Sequence, residues 1–282
     1  MRLASFRTPA GHSWGVVEDD YIIDVGAQVG TLYPDLRSVI AAEAYSVVRD
    51  SARRAPRYAL DRVDWLPPVP NPAKILCIGL NYETHRKETG RAEALHPAVF
   101  TRFPDTQIGH GASIIRPRVS RDLDFEGELA VVIGRGGRYI SAEAAMEHVA
   151  GYACYNDATL RDWQRHTHQF TPGKNFPATG AFGPFIVTAD SIGDYRTFRL
   201  TTRVNGEPVQ DAGLDQLIFP IPTLIEYCSA FTPLAPGDVI ATGTPGGVGF
   251  KRSPPLFLKP GDSVEVEISA VGTLKNGVAD ES

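Results

Sequence analysis

The pattern of hydrophobic and polar positions predicts a chain that is mostly β-strand, with a few helices. Short runs of apolar and β-branched residues, bounded by glycine, proline and polar residues, favour strands. An Asn-Gly pair at residues 205–206 is typical of a two-residue hairpin turn. Strands are predicted at residues 2–6, 13–17, 21–24, 74–80, 129–134, 151–155, 198–204, 207–210, 238–242 and 263–268, and helices at 36–50, 141–148 and 222–230.

A proline-rich segment, Pro-Pro-Val-Pro-Asn-Pro at residues 67–72, divides the chain. Proline this dense removes backbone donors and favours an extended connector. We therefore expect a small α/β N-terminal domain at residues 1–68 and a larger domain of mixed β with α at residues 72–282. The larger domain should contain most of the strands.

Acidic residues lead directly into one apolar strand. Asp124, Glu126 and Glu128 alternate just before Leu-Ala-Val-Val-Ile-Gly, so their side chains should project to one face. Burying unpaired carboxylates is costly, and an oxygen-rich cluster suits a divalent cation such as magnesium or manganese. The alternative is a solvated strand end, and this stretch alone does not decide between the two.

A histidine and a glutamate follow another predicted buried strand. His85 and Glu88 are three residues apart, so one helical turn would place them on the same face. A carboxylate orients an imidazole and raises its basicity, which suits a general base that activates water. Taken alone, such a pair is more often a surface contact.

Three polar residues follow the strand predicted at residues 151–155. Asp157 could supply a third carboxylate to the metal, and Arg161 and Gln164 suit recognition of substrate oxygens. Asp157 could equally be a simple helix N-cap.

Two loops add further candidates. Lys174 lies in a loop stiffened by glycine and prolines, where a lysine is normally solvated. The turn of Thr242, Gly243 and Thr244 could present amides and hydroxyls to an anion, although a plain glycine turn is the simpler interpretation.

The order of these motifs resembles the fumarylacetoacetate hydrolase family. The series runs Gly-Leu-Asn-Tyr-x-x-His-x-x-Glu, Asp-x-Glu-x-Glu-Leu, Asn-Asp-x-Thr-x-Arg-Asp-x-Gln, Gly-Lys-x-Phe and Thr-Gly-Thr-Pro-x-Gly-Val-Gly. The resemblance covers residues 72 to about 270. It implies a β-roll of mixed sheets, one Mg²⁺ or Mn²⁺ per active site, and a homodimer.

The resemblance also implies a role for each candidate, with Asp124 beside the metal and not ligating it. The implied metal ligands are Glu126, Glu128 and Asp157, the catalytic residues are His85, Glu88 and Lys174, and the substrate-binding residues are Arg161, Gln164, Thr242, Gly243, Thr244 and Tyr82. Four aromatic residues are candidates for lining the distal pocket: Tyr82, Phe103, Trp163 and Phe170.

The implied activity is hydrolysis of the carbon–carbon bond of a 2,4-dioxo acid, which gives pyruvate and a carboxylic acid. His85 would activate the water, and Lys174 would stabilise the oxyanion or protonate the departing carbon. The alternative is a decarboxylase or isomerase of 2-oxo diacids, of the oxaloacetate or 2-hydroxyhepta-2,4-dienedioate type. A catalytically inactive binding protein fits less well, because the set of acid–base residues and metal ligands is intact.

Composition and charge limit the classes of partner expected for this protein. The net charge is −5, from 28 basic and 33 acidic residues, with no basic stripe, which argues against nucleic acid. No apolar stretch approaches the ~20 residues needed to cross a bilayer. Three scattered cysteines and the lack of a signal-peptide core favour a cytoplasmic protein. The resemblance implies that its partner is a small 2-oxo acid.

The homodimer implied by the resemblance is directly testable. Sedimentation equilibrium at micromolar concentrations should give about twice the monomer mass of 30.6 kDa. The monomer mass at every concentration would contradict this expectation.

Overall fold

The structure, a computed structural model, describes residues 1–282 and is dominated by β-strands. The strands are β1 (Arg2–Thr8), β2 (Gly11–Glu18), β3 (Tyr21–Ile23), β4 (Arg57–Ala59), β5 (Asp64–Trp65), β6 (Ile75–Gly79), β7 (Ala98–Arg102), β8 (Gln107–Ile108), β9 (Ile114–Arg116), β10 (Leu123–Asp124), β11 (Gly127–Ile133), β12 (Val149–Asp157), β13 (Thr159–Leu160), β14 (Gly180–Thr188), β15 (Arg199–Val204), β16 (Glu207–Gly213), β17 (Val239–Ala241), β18 (Ser263–Ile268) and β19 (Gly272–Asp280). The helices are α1 (Gly26–Val29), α2 (Leu36–Ala41), α3 (Tyr45–Ala52), α4 (Glu83–Thr89), α5 (Arg161–Gln164), α6 (Thr171–Lys174) and α7 (Ile221–Phe231). None of these helices has the length and apolar character needed to span a membrane.

The largest sheet has twelve strands and includes both parts of the chain. Its main path runs β4-β3-β2-β1-β14-β12-β11-β17-β6-β7, with β5 beside β1 and β8 beside β14. The N-terminal strands join it through the antiparallel pairing of β1 with β14, where Leu3 lies opposite Ile186. The mixed sheets confirm the predicted fold class. Main-chain hydrogen bonds between β1 and β14 link the two segments. The division into domains at residues 1–68 and 72–282 stays a prediction.

Strand β11 shows why its sequence is apolar without alternation. Leu129, Val131 and Ile133 point into a core shared with the second sheet. Ala130 and Val132 point into a core shared with the N-terminal segment. Because both faces of the strand are covered, every position from Leu129 to Ile133 is apolar, and Glu128 marks the polar start of the strand.

The second sheet has five strands in the order β16-β15-β18-β19-β9 and covers one face of the large sheet. The predicted hairpin is confirmed, with Val204 opposite Glu207. Asn205 and Gly206 have φ values of 54° and 84°, the left-handed conformation that a tight hairpin turn requires.

Two predicted helices differ in the structure. Residues 36–50 form two helices, because the chain breaks after α2 and Glu43 takes a positive φ of 48°. Over residues 141–148 the structure has only a short 3₁₀ turn at Ala145–His148, since the chain enters β12 at Val149 before an α-helix can extend.

Removing a large side chain between the two sheets should destabilise the fold. Leu200 is fully buried in the core between the sheets, so Leu200→Ala should lower the free energy of unfolding by about 2–5 kcal/mol. Leu32 is 72% exposed, and Leu32→Ala should change it by less than about 0.5 kcal/mol. Urea denaturation measures both, and equal losses would contradict the packing described here.

Candidate metal centre and active site

Four strands of the large sheet bring the candidate residues to one edge. Strand β11 is antiparallel to both β12 and β17, with Gly127 opposite Asn156 and Ala130 opposite Ala241. Strand β6 runs parallel to β17. The start of β11 therefore lies beside the ends of β12, β17 and β6, and the loops that follow these ends surround a common point.

Three buried carboxylates meet at this edge. Glu126, Glu128 and Asp157, here called the carboxylate triad, each offer an oxygen within 4.8 Å of the others. Glu126 lies between β10 and β11, where its amide donates to Asn156 Oδ1 at 3.0 Å. The amide of Asp157 in turn donates to the carbonyl oxygen of Glu126 at 2.9 Å. These two contacts hold Glu126 against the end of β12, which carries Asp157.

Three buried cations balance part of this charge. Lys174 Nζ lies 2.5 Å from both Glu126 Oε2 and Asp157 Oδ2. Arg161 Nη2 lies 2.6 Å from Glu126 Oε1, and Arg102 Nη1 donates to Asp157 Oδ1 at 2.7 Å. Burial alone would raise the pKa of Glu126, but Arg161 and Lys174 outweigh it and hold that pKa below its ordinary value.

Glu128 lacks such a partner. Its carboxylate accepts the backbone amide of Gly243 at 2.9 Å, and no arginine or lysine pairs with it. Burial, followed by the negative charges of Asp157 and Glu126, raises the pKa of Glu128 well above its ordinary value. A divalent cation among three carboxylate oxygens would remove this penalty, and oxygen ligands suit Mg²⁺ or Mn²⁺. The residues present therefore fit a hard divalent metal.

Asp124 does not join the triad, because the chain leaves the strand between Asp124 and Gly127. The expectation that it shares one strand face with the two glutamates is therefore wrong. Its carboxylate accepts Arg161 Nε at 2.8 Å and the amides of Gly249 and Phe250 at 2.8 and 3.1 Å. Asp124 thus orients residues of the cavity wall beside the triad.

The predicted histidine–glutamate pair is present on α4. His85 Nδ1 lies 3.3 Å from Glu88 Oε2. The amide of Gly247 donates to Glu88 Oε1 at 3.2 Å, which fixes the carboxylate from its other side. His85 is only 5% exposed and lines the same cavity as the triad's glutamates. The structure therefore provides an oriented imidazole facing the metal site.

A cavity of about 600 Å³ opens onto this site. Most of the predicted residues lie on its wall, and Phe170 lies there as an expected lining residue. The predicted site residues on the wall are His85, Glu126, Glu128, Arg161, Gln164, Lys174 and Thr244.

Other predicted residues have different surroundings. Tyr82 is fully buried in the main core, and Thr242 Oγ1 donates to the carbonyl oxygen of Leu129 at 3.0 Å. Gly243 uses its amide to hold Glu128, so the turn orients a carboxylate of the triad. Phe103 is 49% exposed and Trp163 packs against Phe176, so neither supplies the cavity wall. None of these residues lies on the cavity wall, and their contact with substrate stays a prediction.

Sequence reasoning missed several residues of the site. Arg102 comes from the short strand β7, and its second nitrogen, Nη2, donates to Thr179 Oγ1 at 2.6 Å. Phe100, Phe250 and Lys251 line the cavity. No local motif marks them, although a lone arginine within an otherwise strand-like run is a weak signal for a buried ion pair.

With this geometry in place, sequence comparison identifies the family. Residues 74–279 match the family described as fumarylacetoacetate (FAA) hydrolase C-terminal. The chain belongs to the fumarylacetoacetate hydrolase family. The match covers the whole segment that contributes the triad, the histidine–glutamate pair and the cavity.

Two curated members of the fumarylacetoacetate hydrolase family share much of the sequence. The mitochondrial oxaloacetate tautomerase FAHD2A of Bos taurus is 39% identical over 287 residues, which cover 99% of this chain and 91% of that protein. The oxaloacetate tautomerase YisK of Bacillus subtilis (strain 168) is 45% identical over 225 residues, which cover 78% and 75%.

Solved structures of fumarylacetoacetate hydrolase family members share the fold along the whole chain. The fumarylacetoacetate hydrolase of psychrophilic Exiguobacterium antarcticum is 37% identical with a TM-score of 0.88 and full coverage of both chains. The maleylpyruvate hydrolase of Sphingobium sp. SYK-6, in complex with manganese(II) and pyruvate, is 30% identical with a TM-score of 0.84 and full coverage of both chains. That maleylpyruvate hydrolase is therefore a structural relative that holds a divalent metal.

Removing the charge of Glu128 should weaken metal binding. Glu128→Gln keeps the shape of the side chain but removes a carboxylate ligand, so the Kd for Mn²⁺ should rise at least ~10²-fold. Loss of a residue that only orients a ligand costs ~10–100-fold in affinity, and loss of the ligand itself should cost more. Glu207→Gln, at an exposed hairpin position, is the matched control and should leave the Kd unchanged. Calorimetric titration of the metal-free protein measures both, and an unchanged Kd in Glu128→Gln would show that the metal binds elsewhere.

Proposed function

We propose that this fumarylacetoacetate hydrolase family enzyme interconverts the keto and enol forms of a 2-oxo dicarboxylic acid, with oxaloacetate as the first candidate. The observation that carries the proposal is the 39% identity to a mammalian oxaloacetate tautomerase across 99% of the chain. A bacterial oxaloacetate tautomerase is 45% identical over 78% of the chain. These similarities favour the isomerase alternative over the acylpyruvate hydrolase that the motifs first suggested.

The reaction moves one proton between carbon 3 and the 2-oxo oxygen of the substrate. Glu126, Glu128 and Asp157 would hold one Mg²⁺ or Mn²⁺, which when bound supplies positive charge that stabilises an enolate. The remaining tasks fall to side chains: binding the substrate oxygens, and accepting and returning the proton at carbon 3.

His85 is the proposed base for the proton at carbon 3. It lines the cavity on the same wall as Glu126 and Glu128, and the 3.3 Å contact with Glu88 orients its ring. Tautomerisation returns the proton to the substrate, so one imidazole can serve in both directions. Glu88 keeps the ring in place while His85 carries the additional charge.

Arg161, Gln164 and Lys174 are the proposed contacts for the substrate's oxygens. Arg161 Nη1 donates to Gln164 Oε1 at 3.0 Å, and Arg161 Nη2 lies 2.6 Å from Glu126 Oε1. Both side chains, Arg161 and Gln164, line the cavity, which places them to meet substrate oxygens. Burial lowers the pKa of Lys174, but Asp157 and Glu126 outweigh burial and raise it, so Lys174 stays charged.

Hydrolysis of an acylpyruvate is the second candidate. It is favoured by the 30% identity, along the full chain, to a maleylpyruvate hydrolase. The same His85 would then activate water. Release of pyruvate from acylpyruvates, followed with a coupled dehydrogenase, tests this candidate separately from tautomerisation.

Removal of the base should abolish most of the tautomerase activity. His85→Ala should lower the rate of oxaloacetate tautomerisation by ~10²–10⁴-fold, the usual contribution of a general base. The Kd for Mn²⁺ should remain the same, since His85 lies outside the triad. The decay of the enol's ultraviolet absorbance in weakly catalytic buffer measures the rate.

His12→Ala is the matched control, because His12 is an exposed histidine of β2. It should retain the full rate. Unchanged tautomerisation in His85→Ala would show that another group moves the proton, and a rate in the parent protein no faster than the buffer would refute the proposed reaction.

A further inference from the structure

Positive charge dominates the cavity wall away from the metal ligands. The carboxylates on this wall are Glu126 and Glu128, which belong to the triad. The arginine and lysine side chains on it are Arg91, Arg161, Arg165, Lys174 and Lys251. Such a wall attracts an anion that extends beyond the metal site.

Only the two inner cations are neutralised by close carboxylates. Arg161 is paired with Asp124 and Glu126, and Lys174 is held by the triad. Lys251 has no carboxylate within 4.0 Å, and the nearest to Arg165 is Asp122 at 3.7 Å, at the surface. An exposed pair at that distance contributes little, so the charges of Arg165 and Lys251 remain available to a ligand.

These charges converge on one aromatic ring. The centroid of the Phe250 ring lies 4.3 Å from Arg161 Cζ, 5.3 Å from Lys251 Nζ and 5.8 Å from Arg165 Cζ. The ring attracts each cation, but the three cations repel one another. An anion placed beside the ring would relieve that repulsion.

Asp124 fixes the position of Phe250 relative to Arg161. It accepts the amides of Gly249 and Phe250 and, on the same carboxylate, Arg161 Nε. Asp124 is fully buried, so this connection is shielded from water. One buried carboxylate therefore holds Phe250 beside Arg161, so the basic platform, formed by Arg165 and Lys251 around Phe250, lies next to the residue that contacts Glu126.

We infer that Arg165 and Lys251, arranged around Phe250, bind the carboxylate at the far end of the substrate and select 2-oxo dicarboxylic acids over 2-oxo monocarboxylic acids. This inference rests on the proposed function, since it places the 2-oxo acid end at the triad. Arg161 then lies between the two ends of the substrate, in contact with both the metal site and the platform.

Binding of two matched ligands to the Mg²⁺-loaded protein tests the subsite without turnover. 2-Oxoglutarate and 2-oxopentanoate have equal chain length, and a methyl group replaces the far carboxylate in the second. The parent protein should bind 2-oxoglutarate ~10–100-fold more tightly, as expected for charge-assisted hydrogen bonds. Arg165→Gln/Lys251→Gln should reduce this preference to less than ~3-fold, with unchanged affinity for 2-oxopentanoate.

Arg62→Gln/Lys259→Gln removes the same charge at two exposed positions and should keep the preference. Equal affinity of the parent protein for the two acids would overturn the inference. So would failure to bind either acid, or a preference that survives in Arg165→Gln/Lys251→Gln.

The outcome is separable from that of the proposed reaction. If oxaloacetate is not tautomerised but the preference exists and is lost with Arg165 and Lys251, the subsite stands and the reaction is wrong. If oxaloacetate is tautomerised and no preference exists, the reaction stands and the subsite is wrong.

Discussion

The burial of three carboxylates at one sheet edge is the constraint on which the rest of the site depends. Removing an ionised carboxylate from water costs several kcal/mol, so each must gain a compensating charge or become protonated. Arg102, Arg161 and Lys174, each no more than 2% exposed, supply part of this charge from three separate segments of chain. The triad thereby ties β7, α5 and α6 to the ends of β11 and β12.

The three carboxylates are not compensated equally, and the difference indicates where a cation fits. Glu126 and Asp157 face cations, whereas Glu128 receives only a backbone amide from Gly243. The uncompensated charge therefore lies at Glu128, which is on the cavity wall. A divalent cation bound by the triad would lie where the protein itself leaves negative charge unbalanced.

Sequence patterns predicted the parts of the site that are encoded locally. Glu126 and Glu128 are two residues apart around the start of β11, and His85 and Glu88 are one helical turn apart, so short spacings reveal both pairs. The positions of Arg102 and Phe250 in the site depend on how the topology brings distant segments of the chain together. No residue near them in the sequence indicates this. The same limit explains Gly243, since a glycine turn that holds a glutamate has the same sequence as one that holds a substrate.

The positions of the ionisable groups also bear on which reaction the site performs. Tautomerisation needs one base that returns the proton it takes, and His85, fixed by Glu88, meets that need. Hydrolysis additionally needs a positioned water and an acid that protonates the departing carbon. Lys174, whose ammonium group lies 2.5 Å from Glu126 Oε2 and Asp157 Oδ2, is the candidate for that acid. Both reactions therefore use the same base, and the proposal of tautomerisation rests on the similarity to oxaloacetate tautomerases.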